Sequence, residues 1–320
     1  MAAEVGQVAA ELGLNPGLIT EVAVLSTRHG HRIWRVHIHT GRSTGKSSFV
    51  IKWFPEISGA AVEIGAYRLL QELDVPTLAV YGTSDHALLL EDLAASERWR
   101  AAEAADAEEA VVGEAIGRWY KLLHQRGSAF LEQGLLRPSF LRRESDALDE
   151  RSLAETAFIL GLSDHPHWQA FMEALPLLKQ AEAALRTTLC YNDFHWTNLA
   201  LSRKAADGRL EALVYDYHLI GIGLPYSDCR NVTGSLGPRA AAAFMAAYGT
   251  ADLDPREEVI DRPLSTVYSL VVAARLPRFP AWAQESLEAV TSGRLGQALE
   301  EAVLLAEEII KGRSELVAGN

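Results

Sequence analysis

The residues able to do chemistry concentrate in two stretches, LCYNDFHWTNLAL at 189–201 and LVYDYHLIGIGLPYSD at 213–228. In the first, a polar cluster of Asn192, Asp193, His195, Thr197 and Asn198 interrupts two apolar, strand-like runs. Four residues separate Asp193 from Asn198, and a loop entered from a strand can turn both side chains toward one point. A carboxylate there can take a proton from a hydroxyl, while an amide oxygen suits a hard cation. Asp216 ends the second apolar run, beyond the turn-forming KAADGR, so a short hairpin returns it to the neighbourhood of Asp193. A base and two oxygen ligands are what phosphoryl transfer to a hydroxyl requires. Singly, Asn192-Asp193 is a turn former and Asp216 a strand end; the DxxxxN spacing joined to the second acid favours chemistry.

NDFHWTN followed by VYDY resembles the catalytic loop and metal-binding strand of the aminoglycoside phosphotransferase and choline kinase group, the small-molecule branch of the protein-kinase-like fold. Carried over position by position, the resemblance implies Asp193 as catalytic base, Asn198 and Asp216 as ligands of Mg²⁺, and Asp228 as a structural brace for the loop. His-Gly often precedes the catalytic Asp in that group, and here Tyr191-Asn192 stands in its place. An aromatic, Tyr217, follows the metal-binding Asp as expected, but no glycine comes after it. These departures bear on loop geometry more than on chemistry. His195 and Trp196, inside the loop, read either as pocket-wall residues touching substrate or as loop packing.

The resemblance extends toward the N-terminus. SSFVIKWF places Lys52 at the end of an apolar strand, where a charge without a partner is costly to bury. The resemblance makes Lys52 the lysine that grips phosphate and Glu63, in VEIGAYRLL, its ion-pair partner. The plainer readings are an edge-strand lysine and an acid favoured near a helix start. HALLLEDLAAS resembles the hinge whose backbone, around Glu91 and Leu93, receives the nucleotide base. LSTRHGHRIWRV has a single glycine, Gly30, where a phosphate-covering loop would lie; Ser26, Thr27 and the amides around His29 and Gly30 would line phosphate oxygens, or the segment is a plain hairpin turn. No GxxxxGK[ST] occurs, so a P-loop kinase is not supported. The implied cofactors are ATP and Mg²⁺.

Period-two patterns predict strands at 19–25, 32–39, 47–54, 78–81 and 87–91, with a helix after the third whose N-cap would be Ser58. Beyond residue 94 the composition turns to Ala, Glu and Leu, and helical periodicity covers 107–125, 152–161, 168–184, 238–248, 257–275 and 284–311. Strands at 199–202 and 210–215 form an island within that helical part. The fold class is therefore α+β. The resemblance adds a two-lobed architecture, with a nucleotide-binding lobe at 1–93, an antiparallel sheet plus one helix, and a larger, mostly helical lobe at 94–320 carrying the catalytic loop and acceptor site.

Composition narrows the partners. The chain has 320 residues, and 30 Lys and Arg against 42 Asp and Glu leave a net charge of −12, which opposes binding to nucleic acid or an anionic membrane. Two cysteines, Cys190 and Cys229, are too few for a disulfide framework. With no basic leader and no long apolar run, the expected location is the cytoplasm. Only eleven residues lie between Asp216 and Asp228, too few for a protein kinase's activation segment. The expected reaction is ATP- and Mg²⁺-dependent phosphorylation of a hydroxyl on a small molecule, an aminoglycoside, amino alcohol or sugar; the competing reading is a non-catalytic nucleotide-binding or scaffold module. An acidic run, Asp252, Asp254, Glu257, Glu258 and Asp261, would suit a polycationic acceptor or simply a solvated helix entry. His165 and His167 have no accompanying ligand spacing and are read as surface residues.

Overall fold

The computed structural model describes residues 2–28, 30–39, 46–134, 136–204 and 208–318. His29, most of the turn TGRSTGKSS and part of KAADGR lie outside these residues, as does the side chain of Asp252. The first element, helix α1 (Ala2–Glu11), was not expected from the sequence. Its Val5, Val8 and Ala9, with Leu12 just beyond, recur at helical spacing and pack on Trp34, Val36, Ile51, Ala87 and Leu89.

Strands β1 (Ile19–Arg28), β2 (His31–His39), β3 (Lys46–Trp53), β4 (Val80–Thr83) and β5 (Ala87–Glu91) form an antiparallel sheet in the order β1-β2-β3-β5-β4. Helix α2 (Ile57–Glu72) lies between β3 and β4. Side chains alternate between the faces of a strand, and both faces here are covered. Ala87 and Leu89 of β5 meet α1, whereas Leu88 and Leu90 join the cluster that includes Tyr67, Leu69 and Leu70 of α2. This explains the unbroken apolar run ALLL. Lys52 pairs with Leu88 in register and shares its face, so the lysine points toward α2. Ser58 is not the N-cap: Glu56 occupies that position, without a side-chain capping bond, and Ser58 sits in the first turn.

The helical part comprises α3 (Ala110–Glu132), α4 (Glu150–Leu160), α5 (Pro166–Ala184), α6 (Pro225–Ser235), α7 (Pro238–Tyr248), α8 (Pro255–Ala274), α9 (Gln284–Thr291) and α10 (Arg294–Ala318). Four of these begin on a proline, where the missing N–H costs no hydrogen bond. The single helix expected over 284–311 is two, because Gly293 turns left-handed at φ 87° between α9 and α10. Short strands β6 (Trp99–Ala101), β8 (Leu199–Ser202) and β9 (Ala212–Val214) form one sheet, while β7 (Thr188–Cys190) pairs with β10 (Gly221–Gly223). One apolar cluster joins α2 and β5 to α3, α7 and these strands, and another lies among α5, α8 and α10. Among the described residues no helix is long and apolar enough to cross a membrane.

Candidate active site

The catalytic loop leaves β7 at Cys190 and is fixed by a buried carboxylate. Asp228, on α6, accepts the Tyr191 amide at 2.8 Å and the Asn192 amide at 2.9 Å. His124 of α3 meets the same carboxylate through Nε2 at 3.1 Å, and its Nδ1 lies 2.8 Å from the Tyr248 hydroxyl at the end of α7. Three helices thus converge on the loop's backbone. Asn192 has φ 64°, a left-handed conformation that glycine adopts freely and asparagine tolerates. Its side chain helps hold that turn by donating to the Leu219 carbonyl at 3.1 Å. Here lies the physical reason that Asn192 can stand where the resembling group often has glycine.

Asp193 and Asn198 meet across the loop: the Asn198 amide donates from Nδ2 to Asp193 Oδ2 at 3.1 Å. The amide of Tyr215 donates to the Asn198 carbonyl at 3.0 Å, so the return of the β8–β9 hairpin sets Asp216 beside the loop. The Tyr191 hydroxyl adds a bond to the Tyr215 carbonyl at 2.6 Å. Asp216 also takes a left-handed backbone, φ 70°, and its Oδ1 accepts from Lys52 Nζ at 2.7 Å and from His218 Nδ1 at 2.9 Å. Lys52 donates to Glu63 at 2.6 Å. Exposures of 7% and 1% for Lys52 and Glu63 make this a buried pair, tying the sheet to α2. Tyr217 packs edge-on between Tyr67 of α2, at 4.8 Å, and Tyr191, at 5.8 Å.

The electrostatics separate the two acids. Burial pushes the Asp193 carboxyl above its ordinary range, partly offset by the nearby His218, whose Nδ1 is 4.0 Å away. For Asp216 burial acts the same way, but the His218 hydrogen bond and the Lys52 charge outweigh it and hold the carboxyl well below the usual range. Burial would lower Lys52, yet Glu63 and Asp216 raise it. The site therefore pairs a more basic carboxylate with one that stays ionised.

Two cavities flank this cluster. One of about 630 Å³ lies under the sheet, with Val50, Leu78, Leu90 and Leu93 among its apolar walls and Lys52 and Asp216 also on its lining. The other, about 660 Å³, is lined by Phe140, Glu144, Asn192, His218, Tyr268 and Arg275. His218 thus faces one cavity while bonded to an acid of the other.

The remaining expected residues divide. Ser26, Glu91 and Leu93 line the first cavity. Gly30 does not; at φ 79° it turns the β1–β2 hairpin, and a Cβ there would meet Pro55 at 3.2 Å. His195 is exposed and bonds locally to the Thr197 hydroxyl at 2.8 Å, and Trp196 packs on the apolar cluster, so the loop-packing reading describes both. Of the acidic run, Asp254 caps α8, Glu257 accepts the Tyr226 amide at 3.0 Å, and Asp261 bonds Arg230 at 2.7 Å. His218, His124 and the Arg35–Asp92 pair, bonded at 2.6 and 3.0 Å, were missed. A histidine two residues after the second acid was a signal for the first; nothing in the sequence joins the others.

The donor set fits a hard divalent cation. Asn198 is oriented by donating through Nδ2, and its Oδ1 accepts from none of the described residues. Asp216 receives both cationic partners on Oδ1, and Oδ2 is likewise without a described donor. Two unengaged oxygens of this kind are what Mg²⁺ prefers. The first cavity has the size and apolar walls of a nucleotide pocket.

Residues 34–259 match the profile of the phosphotransferase enzyme family. Among solved structures, the chain resembles an ethanolamine kinase of Plasmodium vivax at TM-score 0.59 and 13% identity, over 94% of this chain and 89% of that one. A choline/ethanolamine kinase family protein of Mesorhizobium loti superposes at TM-score 0.57 and 15% identity, over 95% and 100% of the two chains. A macrolide 2′-phosphotransferase of Brachybacterium faecium gives TM-score 0.55 and 14% identity, over 90% and 97%. At such identities the likeness is one of fold. No curated protein matches the chain by sequence.

Proposed function

Because this chain belongs to the phosphotransferase enzyme family, we propose that it transfers the terminal phosphoryl group of ATP, with Mg²⁺, to a hydroxyl of a small molecule. One observation carries the reading: Lys52, Asp193, Asn198 and Asp216 are joined by hydrogen bonds, directly or through His218, at the junction of two cavities. The cavity under the sheet would hold the nucleotide, with residues 1–93 as its lobe, and the cavity beside Asn192 and His218 would hold the acceptor against residues 94–320.

In this reading Lys52, fixed by Glu63, grips the α- and β-phosphates. Asn198 and Asp216 offer their free oxygens to the cation, which when bound neutralises charge on the transferring phosphoryl group. Asp193 orients the acceptor hydroxyl and takes its proton as the bond to phosphorus forms, a role suited to a carboxylate whose basicity burial has increased. Positioning supplies most of the acceleration. The buried free thiols of Cys190 and Cys229 support a reducing, cytoplasmic setting.

The test is product analysis by mass spectrometry after incubation with ATP, Mg²⁺ and a panel of hydroxyl compounds: amino alcohols, aminoglycosides, sugars and macrolides. We expect one class to gain a phosphoryl group and Asp193→Asn to lower that turnover by roughly 10²–10⁴-fold with ATP binding retained. Tight ATP binding with no acceptor modified would instead favour a nucleotide-binding module.

A further inference from the structure

The wall of the nucleotide cavity presents an uneven set of polar groups. The Leu93 amide donates to no described residue, whereas the Leu93 carbonyl already accepts from Arg203 Nη2 at 3.1 Å. Arg203 follows β8, and its Nε also bonds the carbonyls of Ser96 at 2.8 Å and Trp99 at 2.9 Å. Its guanidinium is therefore held over the turn that carries Leu93. The other nearby acceptors are engaged too. Asp92 accepts twice from Arg35, at 2.6 and 3.0 Å, from Ser48 at 2.5 Å and from the Ala94 amide at 3.1 Å. The Glu91 side chain is on the opposite face from Leu88 and Leu90 by strand alternation, and the Glu91 amide is bonded to the Ala79 carbonyl at 2.9 Å. What remains open is one donor, the Leu93 amide, beside one acceptor, the Glu91 carbonyl.

We propose that this cavity selects adenine over guanine nucleotides and that Arg203 sets the preference. The inference rests on the nucleotide-binding reading above and adds which base is accepted and why. The adenine edge presents an acceptor, N1, next to a donor, the 6-amino group, which matches the open pair. Guanine presents one acceptor, O6, and then two donors, N1–H and the 2-amino group. With O6 on the Leu93 amide, N1–H falls against the Leu93 carbonyl, which is already taken and has a positive charge beside it. Turning guanine over to use the Glu91 carbonyl sends its N9, and with it the ribose, away from Lys52 and Asp216. An unmet donor in such a site weakens binding on the order of 10- to 100-fold.

Competition against a fluorescent ATP analogue with Mg²⁺, and no acceptor present, tests this. ATP should displace the probe at least about tenfold more tightly than GTP or ITP, because ITP keeps O6 and N1–H while lacking the 2-amino group. In Arg203→Met the ATP-to-ITP ratio should fall to within about threefold, since the Leu93 carbonyl is released. If ITP binds the wild type like ATP and GTP alone is weak, exclusion arises at the 2-amino group and the role given to Arg203 is wrong. Equal binding of all three overturns the selectivity while sparing the nucleotide reading; binding of none overturns that reading itself. Should Arg203→Met melt early through a loosened turn, the wild-type ITP result still decides.

Discussion

Two active-site residues, Asn192 and Asp216, hold left-handed backbone at φ 64° and 70° without being glycine. Such conformations cost roughly 1–2 kcal/mol in an ordinary residue and persist where neighbours fix them. Asp228 and the Leu219 carbonyl do so for Asn192. Asn192→Gly should therefore keep the fold and most of the turnover, while Asn192→Val should lose about 1–2 kcal/mol in urea unfolding and most of the activity. Asp193 makes the second residue-scale prediction. Burial raises its carboxyl, and the reaction needs it ionised, so turnover should fall with decreasing pH at a point above the usual aspartate range of about 3.9. His218 opposes that rise, and His218→Ala should move the acid limb of the kcat/KM profile to higher pH; an unmoved limb would detach His218 from Asp193. At this scale Asp193, Asn198 and Asp216 were readable because their spacing is local. The part played by His218 was not, since it depends on which way the turn after Asp216 carries the ring.

At the scale of elements, the site depends on how closely α3 and α7 approach. Gly113 and Gly117 on α3 lie against the backbone of α7: a Cβ on Gly117 would stand 2.6 Å from the Phe244 carbonyl, and one on Gly113 would collide with that of Ala240. The two helices carry His124 and Tyr248, which reach Asp228 and so the catalytic loop. Gly117→Ala should cost about 1–3 kcal/mol by overpacking and should lower kcat, because separating the helices disturbs the brace. Urea unfolding and steady-state kinetics on the same variant check both; a destabilised enzyme with unchanged kcat would break the link. The strands of the sheet and most helices followed from periodicity. Helix α1 did not, for its apolar face is mostly valine and alanine and gains meaning only against the sheet. Helix α6 has a polar sequence, PYSDCRNVTGS, and buries Asp228 as a functional group, which no hydrophobic pattern announces.

For the whole molecule, the excess of acids has a consequence for stability. Burial, with Asp261 adding to it, pushes the Glu144 carboxyl up to about 8, and burial pushes Glu257 up to about 7. A carboxyl raised in the folded state binds its proton more tightly there than in the unfolded chain, where it titrates near 4.5. Folding then takes up protons between those values, so the stabilisation is present in mild acid and lost as pH rises through about 7–8. Thermal unfolding should show Tm falling from pH 6 toward roughly pH 8.5, and Glu144→Gln should flatten that slope; a Tm that rises over this interval would contradict the assignment. The sequence told that two halves with different periodicities meet, and the resemblance told which residues to look for between them. What it left open was the order in which buried partners engage, as with Lys52, whose two acids lie on opposite sides of the cleft. The central claim is that this cleft holds Mg²⁺ and ATP on Asn198 and Asp216. Calorimetric titration of ATP at increasing Mg²⁺ tests it most directly. ATP affinity of the wild type should rise with Mg²⁺, Asn198→Ala should need more Mg²⁺ for the same rise, and Asp216→Ala, lacking the charged ligand, should show no rise at all. A wild-type Mg²⁺ dependence in Asp216→Ala would contradict the claim and leave Asp216 as no more than the end of a strand.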